Sequence, residues 1–87
     1  MKILVTGAAG FIGYHLIKKI LNKNKKVIGI DNINSYYDTN LKKDRINNLK
    51  KSKKFSFYKI DLSNYKKLND IVKKNKINII IHLPAQA

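Results

Sequence analysis

Val5 to Gly13 reads VTGAAGFIG, with Gly7, Gly10 and Gly13 at a regular three-residue spacing. An apolar run precedes them and a helical pattern follows. A strand that turns directly into a helix aims unpaired N–H groups, and the positive end of the helix dipole, at whatever lies in the turn. That chemistry suits an anion. Gly7 permits the tight turn, Gly10 lets a diphosphate approach the backbone with no Cβ in the way, and Gly13 lets helix and strand pack closely. The pattern is G-x-x-G-x-x-G and departs from the strict G-x-G-x-x-G form, so context must carry it; glycines at such a junction also serve as plain packing devices. Asp31 supplies that context. It ends the second apolar run, 18 residues beyond Gly13, where a carboxylate would accept hydrogen bonds from the ribose of an adenine nucleotide. Its plainer role is a strand-end cap. A carboxylate there repels a 2′-phosphate, and the next residue is Asn32 rather than an arginine, so NAD is expected over NADP.

The elements that must position these groups follow from periodicity. Lys2 to Thr6 reads as a short buried strand. Phe11 to Asn24 reads as a helix with an apolar stripe of Ile12, Leu16, Ile17, Ile20 and Leu21. Val27 to Asp31 is a second strand, followed by a polar, turn-rich loop. Leu41 to Lys51 is expected to form a helix with Leu41, Arg45, Ile46 and Leu49 on one side. Phe55 to Ile60 is a third strand, and Ser63 or Asn64 caps a third helix that turns Leu68, Ile71 and Val72 inward. Ile77 to Leu83 is a fourth strand, apolar almost throughout as if buried on both faces. The order βαβαβαβ predicts an α/β chain, a four-stranded parallel sheet with three helices and right-handed crossovers, that is, part of a Rossmann fold.

Composition narrows the function classes. The chain has 87 residues, 44% of them hydrophobic, enough for one small core. It lacks cysteine, which excludes disulfides and fits a reducing compartment; the cytoplasm is the default. Neither a signal peptide nor a membrane span is apparent. The net charge of +14 comes from 19 Lys plus Arg against five acidic residues, all Asp. Such a balance raises a small module that binds nucleic acid or another polyanion. Two features argue against it. Arg45 is the sole arginine, and the lysine runs 23–26, 50–54 and 73–76 fall at helix C-terminal ends, where they favour the negative ends of helix dipoles. Heavy Lys, Asn and Ile usage also matches A- and T-rich codons.

Taken together, VTGAAGFIG, Asp31 with Asn32, the KIDL ending in Asp61 and Leu62, and IIIHLPAQA resemble the N-terminal half of the NAD-dependent epimerase/dehydratase family, the extended short-chain dehydrogenases. Within it, DNINSYYDTNLKKDRINNL is similar to a segment of the UDP-glucuronate 4-epimerases, the run from Tyr36 to Arg45 being the narrowing feature. The resemblance implies that Gly7, Gly10, Phe11, Ile12 and Gly13 lie along the NAD diphosphate, and that Asp31 and Asn32 meet the adenosine ribose. It further implies that Asp61 and Leu62 border the adenine, while Leu83, Pro84 and Ala85 line the path to the nicotinamide. Leu62 and Leu83 also read as ordinary core. The family usually has alanine where Pro84 stands, and proline removes a donor and restricts Leu83 before it.

The family's reaction, as the resemblance implies it, moves a hydride from the sugar C4 to NAD and returns it to the other face of a 4-keto intermediate. The base is the tyrosine of a Tyr-x-x-x-Lys pair, helped by Ser or Thr, and these lie beyond the fourth strand in the family. Tyr14 and Lys18 match that spacing, but they sit on the first helix behind the glycine turn and read as flanks of its apolar stripe. No catalytic residue is therefore assigned. His15 and His82 read as structural, and no metal site is expected. The expectation is the NAD-binding N-terminal part of a nucleotide-sugar epimerase, with a UDP-sugar as substrate and a homodimer as the state of the longer enzyme. Apolar sheet surface would then stay uncovered, and the fourth strand would be joined on one side only. A dehydratase or reductase of the same superfamily, and the polyanion-binding module, are the alternatives.

Overall fold

Short β-branched runs alternate with stretches of 3.6-residue periodicity, and each becomes the element that period favours. A computed structural model describes residues 1–33 and 38–83. Its elements are β1 (Lys2–Thr6), α1 (Phe11–Asn22), β2 (Lys26–Asp31), α2 (Thr39–Leu49), β3 (Phe55–Lys59), α3 (Tyr65–Asn75) and β4 (Ile79–Ile81). The strands form one parallel sheet in the order β3-β2-β1-β4.

Register decides which side chains meet. Ile3 lies between Val27 and Ile79, and Leu4 between Ile28 and Ile80. Alternate residues face opposite sides of the sheet. On one side Ile3, Val5, Val27 and Phe55 pack with Ile17 of α1 and with Ile46 and Leu49 of α2. On the other, Leu4, Ile28 and Ile30 pack with Ile71 of α3, which is flanked by Leu68 and Val72. The chain steps from β1 to β2 to β3 under helices on one face, then returns past β1 to β4 under a helix on the other. Reversing direction and face together keeps one handedness for every crossover. Gly29 serves packing: a Cβ there would come within 2.9 Å of both the Ala8 methyl and the Phe55 ring.

Several boundaries differ from expectation, each for a local reason. α1 ends at Asn22 because Asn24 takes a left-handed conformation (φ 63°), which a helix cannot continue. Ile12, expected in its apolar stripe, is 54% exposed. α2 begins earlier than expected because the Asp38 carboxylate accepts the amides of Asn40 and Leu41. Its buried stripe passes through Lys42, Ile46 and Leu49, spaced i, i+4 and i+7, which leaves Leu41 47% exposed. Lysine can occupy such a position by burying its aliphatic stem.

The largest correction concerns β4. It spans three residues rather than seven, and Ile79 and Ile80 are 40% and 55% exposed instead of buried on both faces. At its start, Ile77 N–H closes the end of α3 on Val72 O, and the Asn78 side chain accepts Lys2 N–H. At its far end the Thr6 hydroxyl accepts Leu83 N–H. A side chain thus replaces the ladder at the far end, while at the start Asn78 N–H still meets Lys2 O, and the cluster under α3 reaches Leu4 without covering Ile80. As expected, the helices close on lysine: Lys23, Lys50 and Lys76 are the C-caps of α1, α2 and α3. Among the described residues no helix is long and apolar enough to cross a membrane.

The stripe on α2 yields a direct test by urea unfolding. Ile46→Ala should lower stability by about 2–5 kcal/mol, as buried large-to-small changes do. Leu41→Ala on the same helix should stay within about 0.5 kcal/mol. Equal losses would contradict the observed phase of the helix.

Candidate functional site

β1 passes into α1 through four residues, and their amides are already engaged. Gly7 adopts φ +70°, a left-handed conformation open to glycine at little cost. Ala8 N–H donates to Ile30 O at 3.1 Å, Ala9 N–H to the Asp31 Oδ2 at 3.0 Å, and Gly10 N–H to Gly7 O at 3.1 Å. The next amides, of Phe11, Ile12 and Gly13, open α1 and have no helical carbonyl four residues back. Gly10 is the N-cap and brings no capping side chain, and the first turn holds no acid. α2 and α3, by contrast, are capped by Asp38 and Asn64. The start of α1 therefore presents donors and positive potential at the C-terminal edge of the sheet, beside the point where the strand order reverses between β1 and β4.

Two glycines of the turn do different work. A Cβ on Gly13 would overlap the Gly7 carbonyl oxygen and lie 2.9 Å from its carbon. Backbone cannot yield there, so this glycine sets how closely helix and strand approach. A Cβ on Gly10 would meet only Gly7 O, at 3.3 Å, and would otherwise occupy the open space in front of the turn.

Asp31 sits at the end of the neighbouring strand with its carboxylate turned toward the turn. Oδ2 accepts Ala9 N–H, and Oδ1 accepts Ile33 N–H at 2.8 Å. A carboxylate offers about four lone-pair sites, so each oxygen keeps one acceptor for further donors such as a sugar diol. The Ile33 bond also holds a strained residue, since Ile33 has φ 49° and β-branched side chains disfavour that region by about 1–3 kcal/mol. Asn32, between them, is exposed.

Beyond β3, Ile60 N–H donates to Asp31 O, which brings the following Asp61 to the same edge of the sheet. The Asp61 carboxylate is engaged locally: hydrogen bonds from the Ser63 amide and then its hydroxyl hold it below the usual carboxylate range. Leu62 packs on the α3 side of the sheet against the Leu4 and Ile28 cluster. Leu83 faces Gly7, whose added Cβ would meet the Leu83 Cβ at 3.5 Å. Phe11, like Ile12, is exposed, at 58%. Pro84 and Ala85 lie outside the described residues, as do Tyr36 and Tyr37.

Two contacts at the turn, made by Thr6 and Arg45, carry no signal in the sequence. Buried Thr6 joins the ends of β1 and β4, accepting Leu83 N–H at 2.9 Å and hydrogen-bonding His82 Nδ1 at 2.9 Å. Arg45 Nη1 donates to Ala9 O at 3.0 Å, so α2 reaches the glycine turn. Both contacts span long sequence separations, and neither residue type announces them. Tyr14 donates its hydroxyl to Asn48 Oδ1 at 2.7 Å and ties α1 to α2, while Lys18 Nζ lies 5.4 Å from the Tyr14 ring centre. His15 contacts the Phe11 and Tyr14 rings edge-on. No metal-binding cluster occurs among the described residues. A cavity of about 340 Å³ between Tyr58, Ile60 and α3 lies on the opposite face and shares no residue with the turn.

Known proteins resemble this chain in sequence and fold. The family model described as GDP-mannose 4,6 dehydratase matches residues 4–87. A UDP-glucuronate 4-epimerase of Thermodesulfobacterium geofontis is 48% identical over 84 residues, covering 97% of this chain and 26% of that protein. Protein CapI of Staphylococcus aureus is 45% identical over 87 residues, covering 100% and 26%. The crystal structure of UDP-glucuronic acid 4-epimerase from Bacillus cereus, in complex with UDP-glucuronic acid and NAD, superposes with a TM-score of 0.85 at 40% identity, over 98% of this chain and 26% of that one. The chain spans about a quarter of the length of the curated relatives it matches.

The glycine geometry separates stability from binding. Gly13→Ala should lower unfolding free energy by roughly 3 kcal/mol or more, because overpacking falls on backbone. Gly10→Ala should change it by less than about 1 kcal/mol. Thermal and urea melts read both; a Gly13→Ala chain as stable as the parent would contradict the close approach. For Asp61 the lowered folded-state value means its contribution is present above the unfolded-state value and lost as pH falls through the folded one. Ser63→Ala should raise the Asp61 pKa toward the ordinary carboxylate value in an NMR titration, and an unchanged midpoint would contradict the assignment.

Proposed function

Since the chain belongs to the NAD-dependent epimerase/dehydratase family, we propose that residues 1–87 form the NAD-binding part of a nucleotide-sugar 4-epimerase of the UDP-glucuronate type. The observation that carries the proposal is the Asp31 carboxylate bonded to the glycine turn at Ala9, each oxygen accepting one hydrogen bond among the described residues and having lone-pair capacity for another. It sets a two-oxygen acceptor beside a row of helix-start amides, the spacing of chemistries that an adenosine ribose and its diphosphate require.

The residues present fit the dinucleotide. Phe11, Ile12 and Gly13 offer amides to the diphosphate, Gly10 leaves room for it, and Asp31 and Asn32 receive the ribose. Asp61 and Leu62 border the adenine side from the end of β3, and Leu83, facing Gly7, continues toward the nicotinamide; Ala85, proposed with it from the sequence, lies outside the described residues. Bound NAD supplies reversible hydride acceptance from a sugar carbon. This chain's share is to bind and orient, and Asp31 disfavours a 2′-phosphate by charge, which selects NAD over NADP. A UDP-sugar is the proposed substrate of the longer enzyme. A nucleotide-sugar 4,6-dehydratase is the second reading, favoured by the description of the matched family model; the run ending in Arg45 favours the epimerase.

Titration of the chain with NAD, NADP and a DNA oligomer at two salt concentrations tests the proposal against polyanion binding. NAD should bind with little salt dependence and more tightly than NADP. Asp31→Ala should weaken NAD at least tenfold, roughly 1.4 kcal/mol. Steeply salt-dependent DNA binding without NAD binding would reverse the assignment.

A further inference from the structure

Arg45 is the single arginine of the chain, on α2 shortly after Lys42 and Lys43. Ten of the eighteen lysines fall in the runs 23–26, 50–54 and 73–76 near helix C-termini, whereas Arg45 is half-buried at the glycine turn. Its Nη1 donates to Ala9 O at 3.0 Å, and its guanidinium carbon lies 6.0 Å from the Phe11 ring centre. Ala9 is thereby held on both its polar groups: its N–H goes to Asp31, 22 residues away, and its carbonyl receives Arg45, 36 residues away.

The Ala9 carbonyl belongs to the same rigid peptide plane as the Gly10 N–H. That N–H is itself bonded to Gly7 O. Fixing both ends of this plane fixes the direction in which α1 starts, and hence where the Phe11 and Ile12 amides point. α2 is held in place for the task by Ile46 and Leu49 in the core and by the Tyr14 to Asn48 hydrogen bond.

We propose that Arg45 is a positioning residue for the diphosphate, acting through the Ala9–Gly10 peptide rather than as one more surface cation. The inference rests on the NAD reading above. Its planar guanidinium suits a carbonyl bond combined with ring contact, which an ammonium reproduces only in part.

The test uses the 87-residue chain with NAD, ADP and adenosine as probes, and the Gly10 amide nitrogen shift as a spectroscopic signature. Arg45→Gln should move the Gly10 signal in the ligand-free chain and weaken NAD and ADP about tenfold, roughly 1.4 kcal/mol. Adenosine, which lacks the diphosphate, should bind that variant as it binds the parent. Arg45→Lys can still donate to the carbonyl and should recover part of the NAD affinity and of the Gly10 shift. Parent-like NAD binding by Arg45→Gln, equal losses for adenosine, or selective loss of NADP would overturn the inference. So would global unfolding of both variants, which would make Arg45 a stability residue. A parent chain that binds no NAD at all would instead fail the underlying reading, and the two failures are told apart by that control.

Discussion

The close contact between the first turn of α1 and the Gly7 carbonyl sets the geometry of the whole molecule. Only hydrogen fits at the Gly13 side-chain position. With the helix pressed that tightly to the end of β1, Ile17 is driven fully into the core and Tyr14 reaches Asn48 on α2. The same contact leaves the chain just four residues in which to reverse, which forces the left-handed Gly7 and aims the opening amides of α1 at the sheet edge. A site for an anion follows from packing before any ligand is considered.

Neighbouring strands complete that edge by hydrogen bonds to the turn. β2 brings Ile30 O to Ala8 and the Asp31 carboxylate to Ala9, and α2 brings Arg45 to the Ala9 carbonyl. β4 arrives through the Thr6 hydroxyl, which holds both His82 and Leu83. Each of these contacts joins residues far apart in the chain, so the turn takes its final shape only when the sheet is assembled. Charge is divided accordingly. Asp31, Asp38, Asp61 and the single arginine serve caps and turns, while lysines close α1, α2 and α3 at the opposite edge. The lysine runs at those ends favour the negative ends of the helix dipoles.

Periodicity made the strands, helices and their order legible, and the glycine spacing with Asp31 made the turn legible, because those features depend on residues close in sequence. Failures came where distant partners decide. Leu41 looked inward, yet the stripe fixed by Ile46 and Leu49 runs through Lys42. The Ile77–Leu83 run looked like a long buried strand, yet Ile77 N–H closes α3, the Thr6 hydroxyl takes Leu83 N–H, and only Ile79–Ile81 are strand. Ile12 looked like core and lies exposed at the mouth of the turn, as a residue offering its amide outward would. Arg45 was visible as an unusual cation, but its carbonyl partner was not, since nothing local links residue 45 to residue 9.

The central claim is that main-chain amides at the start of α1 grip a diphosphate while Asp31 holds the adjoining ribose. Amide-resolved NMR during an NAD titration measures this directly. Phe11, Ile12 and Gly13 should shift most, together with Asp31 and Ile33, while the lysine segments 23–26, 50–54 and 73–76 stay still. Shifts confined to those lysine segments, with the glycine turn unmoved, would contradict it.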